Sequence, residues 1–153
     1  RIQRLRVMEE YKKTCEDELD WVVVNQLHEA TLQMSKSCFE FKKICVGLIG
    51  ATLAILAKLT AGKLDHSYFY ITFILCFGFW IADFSAYYYQ RKTRVAMNNK
   101  LIALAKRNSI NDYPTENLEV TWFKAAFNHS MALYYTFAIM EIIGWLVYAY
   151  TGR

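Results

Sequence analysis

Two carboxylic acids, Asp83 and Glu141, are the only charged residues inside two long, aromatic-rich apolar stretches. The stretches 68–89 and 131–150 hold 22 and 20 residues, and as helices they would be about 33 and 30 Å long, close to the hydrocarbon thickness of a bilayer. An acid at that depth is costly unless it faces a partner or water, which makes both residues candidates for a functional site inside the membrane.

Three uses of these acids remain open. They could share a proton with each other, or form rings around a symmetry axis, as charged rings do in cation pores. A protonated carboxyl could also bond an adjacent helix purely for packing. Because three spans enclose little space, a pore would require several copies of the chain.

The charged residues are segregated from the apolar ones, which predicts an all-α integral membrane bundle with long cytosolic extensions. The first apolar run, 44–57, becomes long enough to span when extended past Lys58, whose ammonium can reach the interface, to residue 62. We therefore predict about three transmembrane helices in an oligomer. The predicted segments are an arm 1–43, a first span 44–62, an outer hairpin 63–67, a second span 68–89, a basic helix, loop and interfacial helix 90–130, and a third span 131–150.

Basic residues flank the first two spans on one side. Lys36, Lys42 and Lys43 precede the first span, and Arg91, Lys92 and Arg94 follow the second. The positive-inside rule places both groups, and with them the N-terminus, in the cytosol.

The arm shows an apolar seam at alternating spacings of three and four residues, typical of a coiled-coil or bundle helix. Its members are Val24, Leu27, Thr31, Met34, Cys38, Phe41, Cys45 and Leu48. Nothing breaks the helix between them, so one helix is expected to continue from the cytosol into the first span. The seam is expected to pack against the segment after the second span.

Small residues form one stripe along the first span. Gly47, Gly50, Ala51 and Ala54 share a helix face, and such stripes let helix backbones approach closely in lipid. The stripe predicts close packing against another helix.

Charge is unevenly distributed in the cytosolic parts. The segment 9–20 carries six acids and two lysines, whereas 91–107 carries six basic residues and no acid. The basic residues Arg91, Lys92, Arg94, Lys106 and Arg107 are expected to bind anionic lipid headgroups, a nucleotide or nucleic acid, or the acidic run. If Lys43 and Arg91 lie at one membrane edge, the acidic run 9–20 and the basic run 91–107 lie at different distances from the membrane. This argues partly against pairing between the two runs.

The segment 108–117, with Pro114, is predicted to be a loop. A helix beginning near Thr115 or Asn117 would then present an apolar surface to the membrane interface.

Signs of catalysis are missing from the sequence. Four cysteines form no CxxC pair, three histidines are scattered, and no phosphate loop, GxSxG or HExxH motif occurs. We therefore expect no enzyme, no bound metal and no cofactor.

The long helix, the tight two-span hairpin with Lys63, Asp65 and His66 at its tip, and the basic helix that follows resemble the SLATT class of small bacterial membrane effectors. The resemblance covers about residues 19–107 and rests on architecture. It implies an inner-membrane channel of anti-phage defence, opened by a nucleotide or oligonucleotide that a partner enzyme makes. The third span departs from a minimal two-span pattern.

Two functions follow as expectations. The first is an oligomeric channel or membrane-disrupting effector with membrane lipids, further copies of itself and a nucleotide signal as partners. The alternative is a membrane-anchored adaptor whose cytosolic helices dock a soluble protein. The two differ in whether Asp83 and Glu141 matter for ion flow.

Overall fold

The computed structural model describes residues 14–110 and 120–151, and these residues form helices and no strand. The helices are α1 (Cys15–Leu59), α2 (His66–Arg107), α3 (Trp122–Ala126) and α4 (Ala132–Thr151), and a 3₁₀ turn (His129–Met131) precedes α4. The prediction of an all-α fold is confirmed for this part of the chain. The expected helix start near Thr115 or Asn117 lies outside the described residues.

Helix α1 is 45 residues long and passes without a break from the arm into the first apolar run. Thr14 caps its N-terminus, because the Thr14 hydroxyl accepts from the Asp17 amide at 3.1 Å and the Asp17 carboxylate accepts from the Thr14 amide at 3.4 Å. At the other end Gly62, with φ of 78°, donates its amide to the Ala57 carbonyl at 2.8 Å. Asp65 then caps α2 through the His66 amide. The turn between α1 and α2 therefore covers residues 60–65, whereas the sequence predicts the hairpin at 63–67.

The two long helices pack side by side, antiparallel, along a repeat of seven residues. On α1 this repeat runs through the buried residues Asp17, Val24, Thr31, Cys38 and Cys45. On α2 it runs through buried Cys76, Asp83, Gln90 and Leu104 and half-buried Met97. The seam predicted from Val24 to Cys45 is confirmed, and it packs on α2. At its end Ile49, which is buried, takes the place predicted for Leu48, which is exposed.

Helix α4 packs against the apolar half of this hairpin. Met131, at the end of the 3₁₀ turn, and Tyr134, in the first turn of α4, join a buried cluster with Cys45, Ile49 and Cys76. Farther along, the Cα of Gly144 lies so close to α2 that a Cβ there would be 3.2 Å from Cε1 of Phe69. The outward surface of α4 is apolar and exposed, at residues such as Met140, Ile143 and Leu146.

Two segments of the described chain are long and apolar enough to cross a membrane. They are α2 and the segment His129–Thr151. The long apolar run of helix α1, residues 44–59, is shorter than these two segments. It lies alongside α2 and contains Lys58.

The close contact at Gly144 generates a stability prediction. Gly144→Leu would force α4 away from Phe69, so we expect a loss of about 1 to 3 kcal/mol of unfolding free energy. Thermal unfolding of the purified protein in detergent measures this loss. The control is Gly78→Leu on α2, where a Cβ meets nothing within 4 Å. Equal melting temperatures for the two variants would contradict the α2–α4 packing described here.

Candidate functional site

Asp83 is completely buried at the point where α1, α2 and the start of α4 meet. The Lys42 ammonium lies 2.5 Å from its Oδ2 atom. Lys42 also donates to the Cys38 carbonyl at 3.3 Å and to the Ser130 hydroxyl at 3.5 Å. One cation therefore connects α1 both to α2 and to the turn that leads into α4.

The sequence does not identify this partner, because Lys42 falls in the predicted arm 1–43 and Asp83 falls in the predicted second span 68–89. The structure places the two residues at the same level. Asp83 therefore lies where the polar and apolar halves of the hairpin join, and it is paired within one chain. The seven-residue repeat through Cys76, Asp83 and Gln90 was the signal that could have located it on the α1-facing side.

The local electrostatics of this pair make it sensitive to change. The Oδ1 atom of Asp83 is buried and has no hydrogen-bond partner among the described residues. A buried ion pair whose one member is removed leaves an unmatched charge in a medium of low dielectric constant. The pair therefore holds the three helices in one arrangement.

Glu141 lies deeper in the apolar half, on α4, and faces Cys76 on α2. Both of its carboxyl oxygens are buried, and neither has a hydrogen-bond partner among the described residues. The expected pairing of Glu141 with Asp83 is not seen, since Asp83 bonds Lys42 instead. Glu141 thus remains an unsatisfied acid on an otherwise apolar helix.

The small-residue stripe on α1 faces away from α2 and α4. Gly47, Gly50, Ala51 and Ala54 are all exposed, and a Cβ at either glycine would meet nothing within 4 Å. Among the described residues, no helix packs against this stripe.

The predicted basic residues separate into three groups. Arg91 and Arg94 line cavities between α1 and α2. The Lys92 ammonium lies over the Tyr88 ring, 4.8 Å from its centroid, and Lys106 is exposed. Arg107 forms the third group, because its guanidinium bonds acids of α1.

The expectation that the acidic and basic runs lie at different depths is wrong for Arg107 and Lys100. Arg107 bonds Glu16, Asp17 and Asp20 at 3.1, 2.9 and 2.9 Å, and Lys100 bonds Asp20 at 3.0 Å. The reason is the register: Lys42 is level with Asp83, whereas Lys43 and Arg91 at one edge would put Lys42 level with Lys92, so α2 is shifted by nine residues, or about 14 Å. Arg107 is accordingly occupied by acids of the same chain.

This ion-pair cluster is outside the apolar half and has a defined pKa effect. The Lys100 ammonium and the Arg107 guanidinium hold the pKa of Asp20 below its ordinary value. The carboxylate form is favoured because both cations bond it directly.

The described residues contain no group of three or more His, Cys, Asp or Glu side chains that could hold a metal ion.

Burial, followed by the neighbouring Asp83 carboxylate, raises the pKa of Cys38 to about 12. A thiol with that pKa is protonated at neutral pH, and nucleophilic chemistry needs the thiolate.

Comparison of the chain with protein-family models, with curated proteins and with solved structures gives no significant match. The resemblance to the SLATT class stays a prediction from architecture.

The buried pair generates a double-mutant prediction. Asp83→Leu or Lys42→Met alone should destabilise the protein by about 3 to 5 kcal/mol, because each leaves one buried charge unmatched. Combining them should restore most of the loss, as measured by thermal unfolding in detergent. The exposed pair Glu40 and Lys43, whose side chains are 2.9 Å apart, is the control, and its loss should change little. Additive losses at Lys42 and Asp83 would contradict the coupling.

The lowered pKa of Asp20 generates a pH prediction. A depressed pKa in the folded state adds stability above the ordinary carboxyl pKa of about 3.9, and this stability is lost as the pH falls through the lowered value. Wild type should therefore be more stable than Asp20→Asn at neutral pH, and the gap should close in strong acid. Unfolding midpoints across that pH range test this. Glu29→Gln, an exposed acid on the same helix, should show no such trend. A gap that is constant with pH would contradict the role of Asp20.

Proposed function

We propose that this protein is an oligomeric, three-span channel or membrane-disrupting effector of the bacterial inner membrane, with its N-terminal arm in the cytosol. The observation that carries the proposal is Glu141, whose two carboxyl oxygens are buried and unpartnered in the described chain. The cost of such a group in lipid is removed by water, by a proton, or by a polar group from another molecule.

An oligomer would supply the polar surroundings that the described chain does not give Glu141. Symmetric copies would place their α4 helices around one axis, and a shift of α4 within each protomer, where the carboxyl oxygens are buried, would open Glu141 to water and cations. The surface of α4 beyond Glu141 is apolar, which suits lipid on the outside of such an assembly. Asp83 is buried and paired with Lys42 within the protomer, so it would stabilise the bundle rather than line the axis.

The small stripe of α1 supports contact between copies. Gly47, Gly50, Ala51 and Ala54 are unpacked within the chain, and small residues allow close helix approach in lipid. This surface would carry the interface between neighbouring protomers.

The way α1 lies supports three spans per chain. The apolar run 44–59 lies alongside the apolar part of α2, so both would enter the membrane together. Sixteen residues reach about 24 Å, and Lys58 at the end can extend its ammonium to the interface. With α4, the bundle would have three spans.

The signal would act on the cytosolic half. Helix α1 is continuous from Cys15 to Leu59, so a movement of its cytosolic part is carried into the membrane. The likeness to the SLATT architecture supports anti-phage defence as the setting and a nucleotide or oligonucleotide as the signal. In this proposal the protein performs no enzymatic step itself.

A membrane-anchored adaptor is the second candidate, and exposed apolar residues on the arm favour it. Leu19, Val22, Leu32 and Phe39 lie on the polar half of α1 with large exposed fractions. Such residues could dock a soluble protein partner.

Ion flux tests the proposal. Liposomes containing the purified protein should leak ions, and short oligonucleotides or cyclic nucleotides should change the flux. Glu141→Ala should alter conductance several-fold while the protein still inserts, because the acid supplies the polar level inside the membrane. The control is Met140→Leu, the exposed neighbour on α4, which should leave flux unchanged.

A tight membrane under all conditions would reject the channel and favour the adaptor. Flux that is identical in wild type and Glu141→Ala would reject the role of the acid while leaving conduction in place.

A further inference from the structure

Three cavities adjoin one another on the polar half of the hairpin, and Arg91 lines all of them. The largest has a volume of about 430 Å³ and lies between α1, α2 and the turn before α4. The second, about 300 Å³, continues along the hairpin and shares Arg91 and Arg94 with the first. The third, about 170 Å³, lies toward α3. Together they surround one arginine with accessible space.

The largest cavity, called here the basic pocket, is lined by polar and basic groups with two aromatic rings. Its residues are Ser35, Cys38, Phe39, Lys42, Tyr87, Gln90, Arg91, Arg94 and Ser130. Among the described residues, no Asp or Glu lines it, and none lines the other two cavities. The described walls of the pocket therefore hold three cations and no anion.

The positive charge of this pocket is only partly balanced. Lys42 is matched by Asp83, behind the pocket wall. Among the ion pairs of the described residues, none involves Arg91 or Arg94; Arg91 lies only over the Tyr87 ring, 6.0 Å from its centroid. This differs from Arg107, whose charge is used by three acids. Two guanidinium groups are left to attract an anion.

We propose that the basic pocket binds a phosphate group, held by the guanidinium groups of Arg91 and Arg94 and reached by the Lys42 ammonium. Guanidinium groups present paired N–H donors that match phosphate oxygens, and such charge-assisted bonds are the strong ones. The Ser130 hydroxyl and the Gln90 amide add neutral donors at the same wall. The volume is in the range of small-ligand sites, enough for a phosphate and part of what it is attached to.

The position of the basic pocket is compatible with two sources of this phosphate. On α1 the pocket runs from Ser35 to Lys42, seven residues or about 10 Å, just before the apolar run 44–59. That is the depth of the headgroup layer when the apolar half is in the bilayer. A phospholipid headgroup can enter from the side, and a soluble phosphate compound can enter from the cytosol.

Binding would be linked to the buried ion pair, because Lys42 belongs to both. A phosphate in the pocket competes with the Asp83 carboxylate for the same ammonium. As Lys42 moves toward the phosphate, Asp83 loses its only ion-pair partner and the α1–α2–α4 junction is weakened. This consequence rests on the proposed function, for which it gives the gating site, whereas phosphate binding itself does not.

The test uses the full chain in neutral detergent, with inorganic pyrophosphate as the soluble probe and a short-chain anionic phospholipid as the lipid probe. Binding is measured by calorimetry and by native mass spectrometry. We compare wild type with Arg91→Gln/Arg94→Gln. The control, Lys36→Gln/Lys43→Gln, removes the same charge from exposed residues of α1 that lie outside all three cavities.

The pocket variant should bind at least one probe roughly tenfold or more weakly, since each charge-assisted bond is worth about 1.5 to 3 kcal/mol, while the control stays within about twofold of wild type. Loss of pyrophosphate binding supports a soluble phosphate compound, and loss of phospholipid binding alone supports a headgroup. No binding of either probe, or equal losses in the pocket variant and the control, overturns the proposal.

A second variant guards against a folding defect in the first. Arg94→Gln changes one exposed side chain and should weaken binding in the same direction, with an unchanged melting temperature. Unchanged binding by this variant, with the double variant unfolded, also overturns the site. Binding without flux in liposomes would leave the phosphate site in place and reject the channel, and flux without binding would do the reverse.

Discussion

A carboxylate with no exposed surface requires a cation beside it, and in this protein the requirement sets the register of the whole hairpin. Lys42 opposite Asp83 defines one level on two long antiparallel helices. Since each residue advances the helix by a constant 1.5 Å, every other pairing follows from that level. The same register brings Asp17 to Arg107 at the far end and Cys45 to Cys76 in the apolar half. Shifting one helix by a residue would separate all of these pairs.

The seven-residue repeat continues from the polar half of the hairpin into the apolar half. In the polar half the buried positions include Val24 and Leu104, and burial of apolar surface from water favours their contact. In the apolar half the corresponding positions are the small residues Cys45 and Cys76, and small residues let helix backbones approach closely. One interface geometry therefore serves both halves, with side chains suited to each.

Polar groups left unmatched by this geometry mark where function is expected. Glu141 has no partner for either oxygen in the described chain, and Arg91 and Arg94 form none of its ion pairs. Glu141 lies on the apolar side of the level defined by Lys42 and Asp83, and Arg91 and Arg94 lie on its polar side. Lys42 is thus the residue through which a charge bound on the polar side can affect the apolar side.

The sequence by itself determined the helical fold, the continuous α1, the seam from Val24 to Cys45 and the isolation of Asp83 and Glu141 in apolar stretches. Periodicity, the scarcity of glycine and proline, and single acids in apolar runs are local properties that can be read along the chain. The tertiary structure decided which residues are level with one another: Lys42 with Asp83, and Arg107 with Asp17 and Asp20. Register between distant helices depends on a turn and on buried contacts that no local pattern specifies, so the sequence did not identify Lys42 as the partner of Asp83 and left the acidic run as one of several partners for Arg107.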